Sequence, residues 1–246
     1  MKTERADILI FKKGLAESRE DAKRLIMAGK VRTAKDRIVS KPSEEIANDS
    51  EILIEHHDEY VGRGAYKLLP AIHKYPPSKK PFIAADIGAS TGGFCDVLLR
   101  NGARKIYAVD SGIGQLHQKI RSRTEVISLE KTNARYISKK EIPDNLDVVS
   151  IDVSFISVKK ILPAIAPLLS DEATIYVLVK PQFEADRKEI RKGGVVKDPA
   201  IIERCVREIA NLAEKTFGWK TLECIPSPIS GPKGNREQLL VLKKTI

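Results

Sequence analysis

The chain has 246 residues, of which 42% are hydrophobic and 31% are charged, and it carries a formal net charge of +10. This length allows one large domain or two small ones, and no apolar run reaches the roughly 18 residues that a membrane-spanning helix needs. The segment Met1–Asp7 is too charged for a signal peptide, so we expect a cytoplasmic protein. The three cysteines are far apart and the histidines lack metal-ligand spacing, which predicts reduced thiols and no bound metal.

The first 60 residues are predicted to form a small α+β domain of their own. The apolar residues Ile8–Ile10 predict a short helix. Ser18 has the features of an N-cap for a second helix, and Gly29 suits the end of that helix. Two short β segments follow, around Val31 and at Ile52–Ile54.

The positive charge is concentrated in two segments. Residues 12–37 hold nine Lys and Arg against four acids, and residues 61–81 hold five basic residues and no acid. Residues 38–60 between them hold one Lys against seven acids. Such basic patches favour a phosphate polymer as partner, and the alternative is a solvated basic surface.

The N-terminal segment resembles the αL-type RNA-binding domain of a small-subunit ribosomal protein and several RNA-modifying enzymes. The matching residues are Arg5, Asp7, Gly14, Ala16, Ser18, Arg19, Ala22, Lys23, Ile26, Gly29, Val31 and Lys41-Pro42. The resemblance implies that the domain binds RNA. The candidate RNA-binding residues are Arg5, Lys12, Lys13, Ser18, Arg19, Lys23, Arg24, Lys30 and Arg63.

From residue 82 onward, strands and helices alternate, after a linker and first helix at 61–81. Strands are predicted at 82–87, 105–109, 126–129, 147–152, 174–180, 220–225 and 238–242, and helices at 93–100, 115–121, 158–169 and 199–217. This order predicts an α/β fold with a Rossmann-like, mostly parallel sheet. Little chain separates the last two strands, so we expect the last one to run antiparallel, as in methyltransferases that use S-adenosylmethionine (AdoMet). The domains are therefore expected at 1–60 and 61–246.

A loop of small residues follows the first strand of this sheet and predicts a cofactor site. Asp86 ends the strand, and the loop has neither the Walker A sequence nor the dinucleotide-binding glycine pattern. An acid at that position suits the cationic amino-acid end of AdoMet, although a plain tight turn is the alternative. The candidate cofactor-binding residues here are Asp86, Gly88, Ala89, Ser90, Thr91, Gly92, Gly93 and Phe94.

Polar residues at the following strand ends extend this candidate site. Asp110 is placed to accept hydrogen bonds from ribose hydroxyls, and Asn133 lies where an adenine ring is expected. Asp152 and Lys180 end two neighbouring strands and should face each other in the substrate cleft. A Lys amine beside a carboxylate can deprotonate or orient a hydroxyl. Each of these residues could instead cap a turn or be solvated.

Six ordered motifs together resemble the TlyA (hemolysin A) family of FtsJ-like ribosomal RNA 2′-O-methyltransferases. They begin at Gly62-Arg63-Gly64, Asp86-Ile87-Gly88, Asp110-Ser111-Gly112, Asp152-Val153-Ser154, Lys180-Pro181-Gln182 and Gly234-Asn235-Arg236. The resemblance implies AdoMet as cofactor and a cytidine ribose of ribosomal RNA, within ribosomal subunits, as substrate. It also implies a catalytic tetrad of Lys67, Asp152, Lys180 and Glu237, with Asp152 contacting the cofactor as well.

Three alternatives stay open at this point. The first is a nicotinamide-dependent oxidoreductase, and the second is a membrane-lytic protein whose inserting segment would be 158–169. The third is an RNA-binding relative without activity, although all four tetrad residues are present. The oligomeric state does not follow from the sequence, and we expect a monomer that binds neither membrane nor metal.

Overall fold

The computed structural model describes residues 3–16, 18–27, 29–33, 37–54 and 60–245. The chain divides into two compact units, Met1–Glu59 and Tyr60–Ile246, called here the N-terminal and C-terminal units. Among the described residues, no helix is both long enough and apolar enough to cross a membrane.

The N-terminal unit contains two helices and two small antiparallel sheets. Its elements are β1 (Thr3–Arg5), α1 (Ala6–Lys12), α2 (Arg19–Met27), β2 (Val31–Thr33), β3 (Glu45–Ala47) and β4 (Ile52–Ile54). Strand β1 pairs with β3, and β2 pairs with β4. The sequence predicted the second sheet but not the first, because the β1 sequence Thr-Glu-Arg has no apolar alternation that would indicate a strand.

Both predicted ends of α2 are confirmed. The Ser18 hydroxyl accepts a hydrogen bond from the backbone N–H of Asp21 at 3.1 Å, as an N-cap does. After the helix, Gly29 adopts a φ of +70°, and the N–H of Lys30 donates to the carbonyl of Leu25 at 3.0 Å. A glycine in this left-handed conformation lets the chain leave the helix without a Cβ clash.

A buried carboxylate holds the two helices of this unit together. Asp7 in α1 is inaccessible to solvent and accepts from Arg5 Nε at 3.0 Å and from Arg19 Nε at 2.9 Å. Burial by itself would raise the pKa of Asp7, but the hydrogen bonds from Arg5 and Arg19 outweigh it, so this pKa lies below its usual range. The ionised carboxylate is therefore part of the folded unit.

The C-terminal unit is built on a seven-stranded sheet in the order β10-β11-β9-β8-β5-β6-β7. The strands are β5 (Phe82–Ile87), β6 (Ala103–Val109), β7 (Val126–Leu129), β8 (Leu146–Ile151), β9 (Leu169–Val179), β10 (Lys220–Pro226) and β11 (Gln238–Lys244). Strands β5 to β9 pair in parallel, whereas β11 is antiparallel to both of its neighbours. The predicted fold class and the antiparallel last strand are confirmed.

Helices cover both faces of this sheet. They are α3 (Ala65–Lys74), α4 (Gly93–Arg100), α5 (Gln118–Arg121), α6 (Leu162–Ile165), α7 (Pro181–Glu184) and α8 (Pro199–Phe217). One apolar layer joins α3 and α4 to the sheet, and the other joins α6 and α8 to it. Strands β5 and β8 are buried along their whole length as a result, as expected for a parallel sheet between two helical layers.

Two predicted helices are shorter than expected. The segment 158–169 is not one helix but a 3₁₀ turn at Val158–Lys160, the four-residue α6 and a second 3₁₀ turn at Ala166–Leu168. Pro163 and Pro167 remove the N–H groups that a continuous helix needs. The helix predicted at 115–121 begins only at Gln118, where His117 Nδ1 accepts from the N–H of Lys119 at 3.2 Å.

The Asp7 interaction generates a prediction about stability. We expect Asp7→Asn to destabilise the N-terminal unit by about 1–3 kcal/mol at neutral pH, because two charge-assisted hydrogen bonds lose their ionised acceptor. Since the Asp7 pKa is lowered in the folded state, this contribution should be lost as the pH falls through that pKa. Hydrogen exchange of the α1 and α2 amides measures the effect.

Glu20→Gln is the matched control, because Glu20 pairs with Lys23 at 2.6 Å on the surface of the same unit. Exposed pairs contribute only about 0–1 kcal/mol. Equal protection of α1 and α2 in the two variants would contradict the structural role of Asp7.

Candidate active site

The loop after β5 is shaped by glycines at positions where a side chain would clash. Gly88 has a φ of +85°, and a Cβ added there would lie 2.3 Å from the backbone oxygen of Asp152. Gly92, with a φ of +89°, precedes α4, and a Cβ there would lie 2.8 Å from Leu116 Cδ1. The loop therefore packs directly against the end of β8, and small residues are needed for this approach.

Asp110, which follows β6, is fixed by backbone amides. Its Oδ2 accepts from the N–H of Ser90 at 2.8 Å, and its Oδ1 accepts from the N–H of Gly112 at 2.7 Å. Asp110 is therefore held in place, and each of its carboxylate oxygens can still accept a further hydrogen bond.

A cavity of about 800 Å³ opens beside these loops. Its size lies within the range of small-molecule sites. Among the predicted cofactor residues, its wall includes Gly88, Ser90, Asp110, Asn133 and Asp152. The predicted residues that are not among its lining residues are Asp86, Ala89, Thr91, Gly92, Gly93 and Phe94.

Asp86 differs most from its expected role. It is 1% exposed, and its carboxylate accepts from Ser150 Oγ at 2.8 Å and from the backbone N–H and the thiol of Cys95, both at 3.1 Å. Burial raises the pKa of Asp86 to about 6 and raises the pKa of the Cys95 thiol as well. The Asp86 side chain thus links β5, β8 and α4, and it does not line the cavity.

Lys180 and Asp152 form one amine–carboxylate pair at the edge of the sheet. Lys180 Nζ lies 2.5 Å from Asp152 Oδ1 and donates a hydrogen bond to Ser154 Oγ at 2.9 Å. The Lys180 side chain is only 9% exposed and that of Asp152 is 20% exposed. Adjacent parallel strands carry the two residues, because β8 ends at Ile151 and β9 at Val179.

Lys67 and Glu237 form a second pair at the same edge. Lys67 Nζ, on α3, donates to Glu237 Oε2 at 2.7 Å, and the Glu237 side chain is inaccessible to solvent. Glu237 immediately precedes β11, whose first residue, Gln238, lies opposite Val179. The structure therefore brings all four predicted tetrad residues to the ends of three neighbouring strands, β8, β9 and β11.

Two aromatic residues were missed as site residues by the sequence analysis. Phe155 is 91% exposed and has a φ of +63°, which is unusual for a bulky residue. Its ring lies 5.1 Å from that of Phe183, between centroids, and both residues line the cavity. The available signal was an aromatic residue directly after the polar end of a strand, in Asp152-Val153-Ser154-Phe155.

Most of the predicted RNA-binding residues have partners within the protein. Arg5 and Arg19 hold Asp7, and their side chains remain 40% and 48% exposed. The side chain of Ser18 caps α2. The remaining pairs are Lys12 with Glu4, Lys13 with the Ser50 carbonyl, Lys23 with Glu20 and Arg24 with Asp21.

The two remaining predicted RNA-binding residues are Lys30 and Arg63. Lys30 is half-buried and also has a partner, whereas Arg63 is exposed and belongs to the C-terminal unit. RNA binding by the whole set stays a prediction.

The geometry can be compared with that of known proteins. Residues 60–244 match the model of the FtsJ-like methyltransferase family, and residues 4–46 match that of the S4 domain. The 16S/23S rRNA (cytidine-2′-O)-methyltransferase TlyA of Mycobacterium tuberculosis is 39% identical over 241 residues, which are 97% of this chain and 89% of that protein. Hemolysin A of Brachyspira hyodysenteriae is also 39% identical, over 96% of this chain and 98% of its own length.

Solved structures agree with these matches. A structure from Streptococcus thermophilus is 42% identical, covers 100% of this chain and 90% of its own, and superposes with a TM-score of 0.76. A SAM-dependent methyltransferase from Aquifex aeolicus, at 15% identity and a TM-score of 0.50 over 75% of this chain and 95% of its own, shares the fold alone. The chain therefore belongs to the TlyA family of FtsJ-like methyltransferases with an N-terminal S4 domain.

Proposed function

We propose that the protein transfers a methyl group from AdoMet to a ribose 2′-hydroxyl, on a cytidine of ribosomal RNA. The observation that carries this proposal is the pair of amine–carboxylate contacts, Lys180–Asp152 and Lys67–Glu237, at one edge of the sheet beside the cavity. The activity of the Mycobacterium relative and the FtsJ-like and S4 matches support it. They favour methyl transfer over nicotinamide chemistry.

The residues around the cavity fit AdoMet. Gly88 leaves room for a ligand to approach the backbone, and Asp110 has free lone pairs for ribose hydroxyls. Asn133 lines the wall and would face the adenine, while Asp152 supplies a carboxylate for the cationic amino-acid end. AdoMet, when bound, supplies an electrophilic methyl group. Asp86 acts indirectly, by fixing the loop through Cys95 and Ser150.

Lys180 is the residue that acts on the substrate hydroxyl in this proposal. Its amine is restrained by Asp152 and Ser154, so it is aimed before the RNA arrives. AdoMet held beside Asp110 and Asp152 would supply the methyl group to the ribose oxygen, and Lys180 Nζ, as a neutral amine, or water would take up the hydroxyl proton. Glu237 holds Lys67 as a second cation beside the developing charge. Positioning of this kind lowers the barrier by about 7–11 kcal/mol. General base catalysis accelerates a reaction by roughly 10²–10⁴-fold, which corresponds to about 3–5 kcal/mol and is therefore the smaller effect.

The N-terminal unit docks the protein on folded RNA through phosphate contacts and shape, since duplex RNA hides the edges of its bases. The target nucleotide is turned out of its stack to reach the cavity, as for other enzymes that act inside folded nucleic acid. The exposed ring of Phe155 would then stack on its base. Ribosomal subunits as the form of the substrate, a monomeric protein and a cytoplasmic location stay predictions.

Lys180→Ala tests the proposed chemistry. We expect methyl transfer to fall by at least 10²-fold, because the hydroxyl loses its proton acceptor. The affinity for AdoMet should stay within a factor of two to three or so, since Lys180 is not in the cavity wall. Nucleoside mass spectrometry of the RNA and titration calorimetry measure the two effects. Lys220→Ala, at the opposite end of the sheet, is the control, and full activity of Lys180→Ala would remove Lys180 from the mechanism.

Asp110→Ala tests the cofactor site separately. We expect a weaker affinity for AdoMet by about 10-fold or more, because hydrogen bonds to a charged acceptor contribute about 1.5–3 kcal/mol. The affinity for RNA should not change. Calorimetry with AdoMet and filter binding with RNA distinguish the two, and unchanged AdoMet affinity would place the cofactor elsewhere.

Phe155→Ala tests the stacking role. Loss of one base–aromatic stack costs about 1–3 kcal/mol, which corresponds to about 5- to 150-fold in kcat/KM for RNA. AdoMet affinity should be retained, and Phe155→Tyr should restore most of the activity because it keeps the ring. If the alanine and tyrosine variants are equally active, Phe155 does not stack on the target base.

A further inference from the structure

Two loops at the tetrad edge of the C-terminal unit carry exposed cations that the sequence analysis did not assign. The first is residues 191–197, a turn closed by hydrogen bonds from Arg191 N–H to the Val195 carbonyl at 3.1 Å and from Gly194 N–H to the Arg191 carbonyl at 2.9 Å. Gly193 and Gly194, with φ values of +102° and +80°, make this turn possible. The second is residues 233–236, immediately before Glu237. We call the two segments together the basic loop pair.

Asn235 fastens the two loops to each other. Its side-chain oxygen accepts from the N–H of Val196 at 3.0 Å, and its side-chain nitrogen donates to the carbonyl of Gly194 at 3.0 Å. Asn235 is 3% exposed, and its own carbonyl accepts from the N–H of Gly231 at 2.9 Å. A buried amide that is satisfied on both sides holds its neighbours in a fixed arrangement. The cations on the two loops are therefore kept on one structure.

The basic loop pair is positively charged because residues 191–197 and 233–236 contain five cations and no acid. Its five cations are exposed, and within the described part of the chain they take part in no ion pair; they are Arg191, Lys192, Lys197, Lys233 and Arg236. Of the three acids between 186 and 198, Glu189 pairs with Arg204, and Asp198 Oδ1 caps α8 at 2.9 Å. Asp186 belongs to a capping box.

Some cations elsewhere on this unit pair with a carboxylate. Lys74 pairs with Glu223, Lys79 with Asp147 and Lys105 with Asp144. The basic loop pair differs from these positions because it holds five cations and no acid on two loops that Asn235 fastens together.

We propose that the basic loop pair is a second RNA-contact surface, on the C-terminal unit itself, which binds the phosphates that flank the target nucleotide. This inference rests on the proposed function, because it takes RNA as the substrate. The position supports it: Arg236 is next in sequence to the tetrad residue Glu237, and the first loop follows the segment that begins with Lys180. Lys and Arg side chains on a rigid support recognise phosphates without regard to sequence. The surface would orient the strand whose ribose enters the site.

The test uses K192Q/K197Q/K233Q in the full chain, with unmethylated small and large ribosomal subunits and with 16S and 23S rRNA transcripts as the probes. Each phosphate contact on single-stranded nucleic acid contributes about −0.7 to the slope of log K against log salt. The loss of three contacts should therefore make this slope shallower by about 2. We expect KM for RNA at physiological salt to rise by 10-fold or more. The kcat at saturating RNA and low salt, and the affinity for AdoMet, should be retained.

K140Q/K215Q/K220Q is the matched control, since these exposed lysines lie near the opposite ends of the strands. It removes the same charge and should leave the salt slope unchanged. Equal effects of the two triple variants, or an unchanged salt slope in K192Q/K197Q/K233Q, would overturn the proposed RNA-contact surface. Methylation by the wild-type protein in the same experiment would still support the proposed function. If the wild-type protein neither binds nor methylates any of these subunits and transcripts, both proposals fail.

Discussion

The arrangement of the site depends on the close approach of two backbone segments. Gly88, after β5, lies so near the carbonyl of Asp152, after β8, that no other residue fits without displacing one of them. The N–H of Asp152 also donates to the carbonyl of Ile87 at 2.9 Å. This contact places the proposed cofactor loop and the Lys180–Asp152 pair next to each other. Parallel strands supply it, because their carboxyl ends meet at one edge of the sheet.

The fold was largely predictable from local signals. Strand β5 and helix α8 have the expected bounds, because an unbroken apolar run and a capped, amphipathic segment are properties of the local sequence. The single helix predicted at 158–169 was wrong, because the two prolines of this segment outweigh its apolar spacing. Strand β1 was missed because its three residues form a strand only through pairing with β3, a partner distant in sequence.

The sequence predicted most of the residues that form the site, but it predicted fewer of the contacts that they make. Asp152 and Lys180 follow from strand ends, whereas Lys67 and Glu237 came from the family resemblance and are paired by the packing of α3 near β11. Asp86 was expected to face the cofactor, because neither Cys95 nor Ser150 is recognisable from sequence as its partner. The signal for Phe155, an aromatic residue directly after a polar strand end, was weak, since a lone aromatic residue is more often part of a core.

The buried carboxyl of Asp86 has a consequence for the response to mild acid. With a pKa of about 6, it takes up a proton in the folded protein at a pH where the unfolded chain, with a carboxyl pKa near 3.8, is still ionised. Folding is therefore coupled to proton uptake at this residue between about pH 6 and pH 4, so its contribution favours the folded state as the solution is acidified. Asp7 acts in the opposite sense, since its lowered pKa makes protonation favour unfolding. The two buried carboxyls therefore respond oppositely to acid, because protonation favours unfolding at Asp7 and folding at Asp86.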